Sequence, residues 1–530
     1  MTDHGSPRHQ ELGGIFDMTG VTRGPDGIKR YAGLPRNLVH MLRASVDRHG
    51  AAEALVETGA ENAAENAAEN AGGPRLSYAE LWDRAARVAG GLRGLGVQRG
   101  DRVAIRLGNG IDWVLAFFGA VMADAIVVPV NTRFTEEEAS YVVTDSGARH
   151  VFVPGDPLPD GDPLVVDDAE PSGPAAIFYT SGTTGFPKGA VTTHDNFLSN
   201  AETCRRALYV APEGLRTLIS VPLFHVTGCN SQLLVAAYVG GTAVIMPVFE
   251  VGAFLHAIEA ERIDTMVTVP AIYWLAISQP AFAGTDISRV RSVSYGGAPI
   301  APDLVARLAK AFPQARLGNG FGLTETSSVS TFLPHEFVAH ADSVGFPAPV
   351  CDVRLGTVLP DGTGELLIRG PNIVSGYWNK PEATAETFTG GWLHSGDMAR
   401  IDDEGLVYLV DRIKDMINRG GENVYCVEVE NALAGAPGVY EAAVLGVPDE
   451  MMGEKVGAVI VPMPGTTLDV PAVLGYLGEH LADFKIPQYV AVSTAPLPRN
   501  PGGKLLKRRL REDVDWAAAA RRPAAPDTSG

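Results

Sequence analysis

Residues 175–190 read AAIFYTSGTTGFPKGA: a short apolar run, then four Ser/Thr hydroxyls and three glycines around one proline, with Lys188 near the end. Glycines let backbone N–H groups turn toward a ligand with no Cβ in the way, and the hydroxyls add donors, a combination suited to phosphate oxygens. The spacing is not that of the Walker loop. Five positions after Gly182 comes Pro187, where that motif needs glycine, and Lys188 is followed by Gly189 instead of Ser or Thr. Taken alone, the stretch reads equally well as a surface turn; its surroundings decide.

Upstream, VAIRL (103–107), an apolar helical stretch Ile111–Ala123, AIVVPV (125–130), TEEEASYVV (135–143) and HVFV (150–153) alternate as βαβαβ. Thr135 followed by Glu138 is a capping-box signature for the second helix. The apolar stretch Trp113–Val130 is interrupted by Asp124 and Pro129 and is short for a spanning helix, so it reads as a buried helix and strand, with no membrane span. Downstream, TLISVP (217–222), TAVIMP (242–247), TMVTVP (265–270) and VRSVSYG (290–296) predict a second parallel sheet. VRLG (353–356) and GELLIRG (364–370) suggest a small antiparallel or barrel-like section, and beyond residue 411 the pattern resets to a compact α+β domain.

The predicted fold class is therefore α/β: a large N-terminal domain with two parallel, helix-flanked sheets and a small β-barrel-like section, then a small α+β C-terminal domain. The expected boundaries are a loose tail over 1–34, the large domain over 35–410, a hinge at 411–414, the C-terminal domain over 415–515 and a loose tail over 516–530. The repeat ENAAENAAEN at 61–70 reads as a surface insertion.

A chain of 530 residues needs more than one core, and 45% apolar with 20% charged residues excludes global disorder. A net charge of −19 argues against a nucleic-acid partner. Four cysteines with no CxxC pair offer neither a disulfide framework nor a zinc site, in keeping with a cytoplasmic protein.

Further motifs follow in a fixed order: PLFH (222–225), YGGAP (295–299), NGFGLTE (319–325), WLHSGD (392–397), DRIKD (411–415) and PRNPGGK (498–504). With the glycine-rich loop, they make the chain similar, over about residues 35–512, to the adenylate-forming superfamily of acyl-CoA synthetases, peptide-synthetase adenylation domains and beetle luciferases.

The resemblance implies roles for individual residues. Thr180, Ser181, Gly182, Thr183, Thr184, Gly185 and Lys188 would hold the ATP β- and γ-phosphates. Gly297, Ala298 and Pro299 would wall adenine, with Asn319 pairing to its amino edge and Phe321 stacking on it between Gly320 and Gly322. Thr324 would donate to the α-phosphate and Glu325 would ligate Mg²⁺, a hard cation that prefers oxygen. Asp397 and Arg412 would reach the ribose, and Lys414 would be the hinge of a mobile C-terminal domain. His225 would border the substrate carboxylate, Gly420, Gly421 and Glu422 would line a thiol channel, and Lys504 would be the catalytic lysine.

The amino-acid-activating members that the chain resembles carry an Asp after the Phe of the PLFH-like segment, where it pairs with the α-ammonium; here that residue is His225. An α-amino acid would lack a counter-charge. Val226, Thr227, Gly228, Tyr273, Gly296, Gly318 and Ser327 are expected to line an acyl pocket for a medium or bulky, largely apolar or aryl acid. The implied reaction is adenylation of that acid by MgATP, then transfer to a thiol. CoA is favoured over the arm of an acyl carrier protein, because an acidic chain is a poor dock for acidic carriers. A luciferase-type oxidation and a non-catalytic nucleotide-binding scaffold are the remaining readings, and the sequence leaves a homodimer open.

Overall fold

The computed structural model describes residues 14–59, 73–180, 187–208, 210, 214–420, 422–499 and 505–522. These divide into two compact units: residues 1–354, 367–395 and 402–407 belong to the first, and 355–366, 396–401 and 408–530 to the second.

The first unit contains both expected sheets. One has five strands, in the order Ala148–Phe152, Arg102–Ile105, Ile126–Pro129, Pro174–Thr180 and Lys188–Thr193. Its first four strands run parallel, and the last pairs antiparallel with Pro174–Thr180. The helix Ile111–Met122 is buried along nearly all its length, since it packs inside the protein and needs no polar face. Asp124 follows it at φ 56°, the left-handed turn that ends a helix. The capping box forms: Thr135 Oγ1 accepts from the Glu138 N–H, and the Glu138 carboxylate accepts from the Thr135 N–H.

The second sheet has nine strands. Its parallel core, Arg316–Phe321, Ser292–Gly296, Thr265–Thr268, Arg216–Ile219, Thr242–Ile245, recruits Glu53–Glu57 from early in the chain. Antiparallel strands close both edges. The strands Asp352–Leu355, Gly364–Arg369, Phe388–Thr389, Trp392–Ile401 and Val407–Arg412 follow in the chain.

The second unit carries a six-stranded sheet centred on the hairpin Val439–Asp449 and Gly453–Pro462, with helices Cys426–Ala434 and Val470–His480 against it. Among the described residues no helix is long and apolar enough to cross a membrane.

Both tails are corrected from residue 14 inward. Val21–Arg23 and Lys29–Tyr31 form an antiparallel hairpin. Arg23 and Lys29 meet Asp352 at 2.7 and 3.1 Å, and the Tyr31 hydroxyl lies 2.9 Å from Thr203 Oγ1 under the Arg206 guanidinium. At the other end Trp516 packs on Tyr489, and Ala520–Arg521 adds a strand beside Tyr489–Val492. A Gly/Pro/Arg-rich composition reads as loose only while its distant partners are unknown. Residues 1–13, the 61–70 repeat and 523–530 lie outside the described residues.

Candidate active site

The glycine-rich loop joins two antiparallel strands, with Thr180 paired to Lys188. The helix His194–Ala207 begins only after the second strand, so the topology is strand–loop–strand and not the strand–loop–helix of a Walker site. Ser181, Gly182, Thr183, Thr184 and Gly185 lie outside the described residues, as do Gly421 and Lys504.

Lys188 opens the strand after the loop, and residues 375–378 run alongside that strand: the Val191 N–H donates to the Gly376 carbonyl, and the Trp378 N–H to that of Gly189. This pairing brings Tyr377 under Lys188, whose Nζ lies 5.1 Å from the ring centroid. The Tyr377 hydroxyl donates to Glu325 Oε1 at 2.7 Å, and burial raises its pKa, so it remains a donor. Phosphate-loop lysine and predicted metal carboxylate are thus joined through one tyrosine that the motif comparison passed over. Its signal in the sequence was slight, because GYW follows GELLIRG by only a few residues and its partner strand lies about 190 positions upstream.

Glu325 sits on the short helical turn Thr324–Thr326. Thr326 Oγ1 takes the Leu323 N–H, and Asn372 Nδ2 donates to the Thr326 carbonyl. A Cβ on Gly322 would lie 1.3 Å from the Ser328 carbonyl oxygen, so only glycine lets the chain fold back here. Among the described residues no three His, Cys, Asp or Glu side chains gather as a metal cage. An ion on Glu325 would take its other ligands from water and phosphate, the manner in which Mg²⁺ is usually held. The residues therefore fit that ion.

Asn319 and Gly320 lie beside Tyr295 and Gly296 on adjacent parallel strands. Asn319 Nδ2 donates to the Ser343 carbonyl at 3.1 Å, which leaves its own carbonyl oxygen as the acceptor an adenine amino group requires. Gly297, Ala298 and Pro299 are exposed just beyond the neighbouring strand end.

Between these strand ends and the helix His194–Ala207 lies a pocket of about 590 Å³, its open mouth included. Val226, Thr227, Gly296, Gly297, Gly320, Phe321 and Gly322 line it. Four residues expected there do not. Tyr273 is fully buried in the core beside Ile272 and Ala276, its hydroxyl donating to the Met266 and Ser294 carbonyls. Gly318 is covered by the Phe332 ring, which would meet a Cβ at 2.2 Å, Gly228 packs on the Pro222 backbone, and Ser327 is buried in the turn. In their place Cys204, Ser231, Ser328, Val329 and Phe332 complete the wall.

His225 precedes the lining residues Val226 and Thr227. Burial, with Arg133 adding to it, pushes its imidazole down to about 4, and Nε2 has no partner among the described residues. It is a neutral ring at neutral pH, with no charge to offer an ammonium or a carboxylate.

In the second unit Arg412 Nε binds Asp397 Oδ1 at 2.6 Å, so the two residues assigned to the ribose are already paired. Lys414 follows two positions later. Gly420 takes φ 62°, and Glu422 lies 3.4 Å from Arg419.

The profile described as AMP-binding enzyme matches residues 42–164 and 154–378, and that described as AMP-binding enzyme C-terminal domain matches 428–504. The chain belongs to the AMP-binding enzyme family. Within this family it is 38% identical over 469 residues to a feruloyl-CoA synthase of Amycolatopsis, an alignment covering 83% of this chain and 94% of the relative. It is 36% identical to the long-chain-fatty-acid–CoA ligase FadD13 of Mycobacterium tuberculosis, covering 83% and 93%. Among solved structures, o-succinylbenzoate CoA synthetase of Bacillus subtilis with its acyl-adenylate intermediate superposes with a TM-score of 0.80 at 27% identity, covering 90% of this chain and 98% of that one.

Proposed function

We propose that this protein is an AMP-forming acyl-CoA synthetase for a bulky, largely apolar or aryl carboxylic acid. The observation that carries the substrate class is the pocket: Gly320, Phe321 and Gly322, which precede Thr324 and Glu325 in the chain, form part of its wall, and most of that wall is apolar or glycine backbone. Neutral His225 supports the same reading, since no anion stands ready for an amino acid's ammonium.

In the first half-reaction the substrate carboxylate oxygen attacks the α-phosphorus of ATP, and the bond to pyrophosphate breaks. In the second, the CoA thiolate attacks the acyl carbonyl and AMP leaves, so a thioester forms and the thiol proton passes to solvent. Both steps depend on positioning and charge neutralisation more than on covalent help from the protein. When bound, Mg²⁺ on Glu325 would offset phosphate charge. Tyr377 fixes one oxygen of Glu325, Lys188 faces the leaving pyrophosphate, Asn319 orients adenine, and Asp397 with Arg412 takes the ribose. Lys504 supplies the ammonium that meets both the incoming carboxylate and the α-phosphate. We place the hinge at Lys414 and the thiol channel at Gly420, Gly421 and Glu422.

The test is a panel of aryl and alkyl acids incubated with MgATP and CoA. The reading predicts acid-dependent AMP, pyrophosphate and acyl-CoA. AMP release with thioester forming only on an acyl carrier protein would move the acceptor to a carrier; ADP as product would refute the reaction class.

A further inference from the structure

The hairpin Val21–Arg23 and Lys29–Tyr31 lies upstream of every motif of the site, yet its side chains are tied to both walls of the pocket. One wall is the end of the helix His194–Ala207, through Cys204, Ala207 and Leu208; another is the turn that carries Ser328 and Val329.

At 3.6 residues per turn, Glu202, Thr203 and Arg206 fall on the side of that helix turned away from Cys204, Ala207 and Leu208. The N-terminal segment covers this side. Tyr31 is 6% exposed, and its hydroxyl lies 2.9 Å from Thr203 Oγ1. The Arg206 guanidinium sits 4.4 Å from the Tyr31 ring centroid; its Nε donates to Glu202 Oε1 at 2.7 Å, and its two terminal nitrogens donate to the Asp17 and Thr19 carbonyls. The Arg206 side chain is only 7% exposed, so a buried cation takes two of its three hydrogen-bond acceptors from the N-terminal segment.

The same hairpin is pinned toward the turn. Arg23 and Lys29 both meet Asp352, and Lys29 Nζ also reaches the Cys351 carbonyl at 3.5 Å. The Cys351 thiol donates to Asn372 Oδ1 at 3.3 Å, and Asn372 Nδ2 spans the Thr326 and Val329 carbonyls at 3.0 and 3.1 Å. Between those carbonyls Ser327 has φ 53° and Ser328 φ 118°, a conformation that persists only where the surroundings impose it. A continuous set of buried polar contacts thus runs from the helix, through residues 17–31, to the turn.

We propose that residues 17–31 act as a strap that sets the separation of the two pocket walls, with Tyr31, Arg206 and Asp352 as positioning residues for the acid substrate. This rests on the synthetase reading. Protein interiors are close-packed, so a wall released on its outer side shifts on its inner side too. The nucleotide side is held separately, by the pairing of residues 375–378 with the strand Lys188–Thr193 and by Tyr377 on Glu325. The strap therefore acts on the acid and not on ATP.

Pyrophosphate exchange by the full-length protein, over a series of aryl acids enlarged one methylene at a time, reads the two substrates apart. Tyr31→Phe keeps the ring under Arg206 and removes only the hydroxyl; Thr203→Val removes the other end of the same contact. Each should raise KM for the best acid about fivefold, the effect of one lost hydrogen bond, and leave KM for ATP within about twofold, and the double variant should be no worse than either single one. Preference between successive acids should flatten in step. Arg23→Gln, at the far end of the strap, should shift KM for the acid the same way. KM does not depend on the fraction of protein that is folded, so a partial loss of fold does not mimic this pattern. An unchanged KM for the acid in these variants, or an equal rise for ATP, overturns this inference and leaves the synthetase reading standing. No acid-dependent exchange by the wild type overturns both.

Discussion

The Tyr377 hydroxyl donates to Glu325 Oε1 at 2.7 Å while Lys188 Nζ lies 5.1 Å from the same ring. One aromatic side chain thereby ties the carboxylate assigned to the metal to the lysine assigned to the pyrophosphate. A hydrogen bond to a charged group contributes about 1.5–3 kcal/mol, so Tyr377→Phe should lower adenylation by roughly 10- to 100-fold. The Mg²⁺ concentration for half-maximal rate should rise as well, because Glu325 is no longer held. Titrating ATP binding with and without Mg²⁺ checks this independently of turnover; equal Mg²⁺ dependence in both proteins would reduce Tyr377 to a packing residue.

Lys504→Ala should lower adenylate formation by about 10²- to 10³-fold, the usual cost of one preorganised donor at a charged reaction centre. A supplied acyl-adenylate should still become thioester on adding CoA. Following both half-reactions separately decides the matter, and equal losses would place Lys504 in both steps.

His225 and His194 both have imidazoles pushed down to about 4, from an ordinary 6.5, by burial. Between those values the unfolded chain binds protons that the folded chain does not, so stability rises with pH across this window and is lost as pH falls from 6.5 toward 4. At pH 5 each histidine should cost about 2 kcal/mol. Urea unfolding of wild type and His225→Phe at pH 7.5 and 5.0 reads this out: the variant should lose less stability on acidification, and parallel losses would refute the buried neutral imidazole.

Within the second unit Lys507 Nζ lies 2.8 Å from Glu430 Oε1, the side chains being 12% and 19% exposed. Glu430 also accepts from the Val444 N–H. Lys507→Met leaves that carboxylate buried without its counter-charge and should destabilise the unit by about 3 kcal/mol, whereas pairing it with Glu430→Leu should recover most of the loss. Denaturant melts of the single and double variants check this; a neutral single variant would mean the pair is solvated.

What could be read from the sequence followed from how local its cause was. The Thr135–Glu138 capping box closes over three residues, so it was legible. The strand ends at Gly296 and Gly320 were legible through motif order. Tyr377, Ser231 and Ser328 were not, because each acquires its place in the site from a strand or turn far away in the chain. Tyr273, expected in the pocket, lies in the core instead, because its hydroxyl reaches the Met266 and Ser294 carbonyls, on strands that precede and follow it in the chain. The N-terminal hairpin was hidden for the converse reason: Arg23 and Lys29 look like solvated charges until Asp352, more than 300 residues later, is placed beside them.

Mass spectrometry of a single-turnover mixture bears most directly on the whole account. The purified protein, MgATP and an aryl acid, quenched before and after CoA is added, should contain an acyl-AMP that disappears as acyl-CoA rises in equal amount. Acyl-CoA formed with release of ADP and phosphate, or no acyl-AMP from any acid that the enzyme converts, would contradict it.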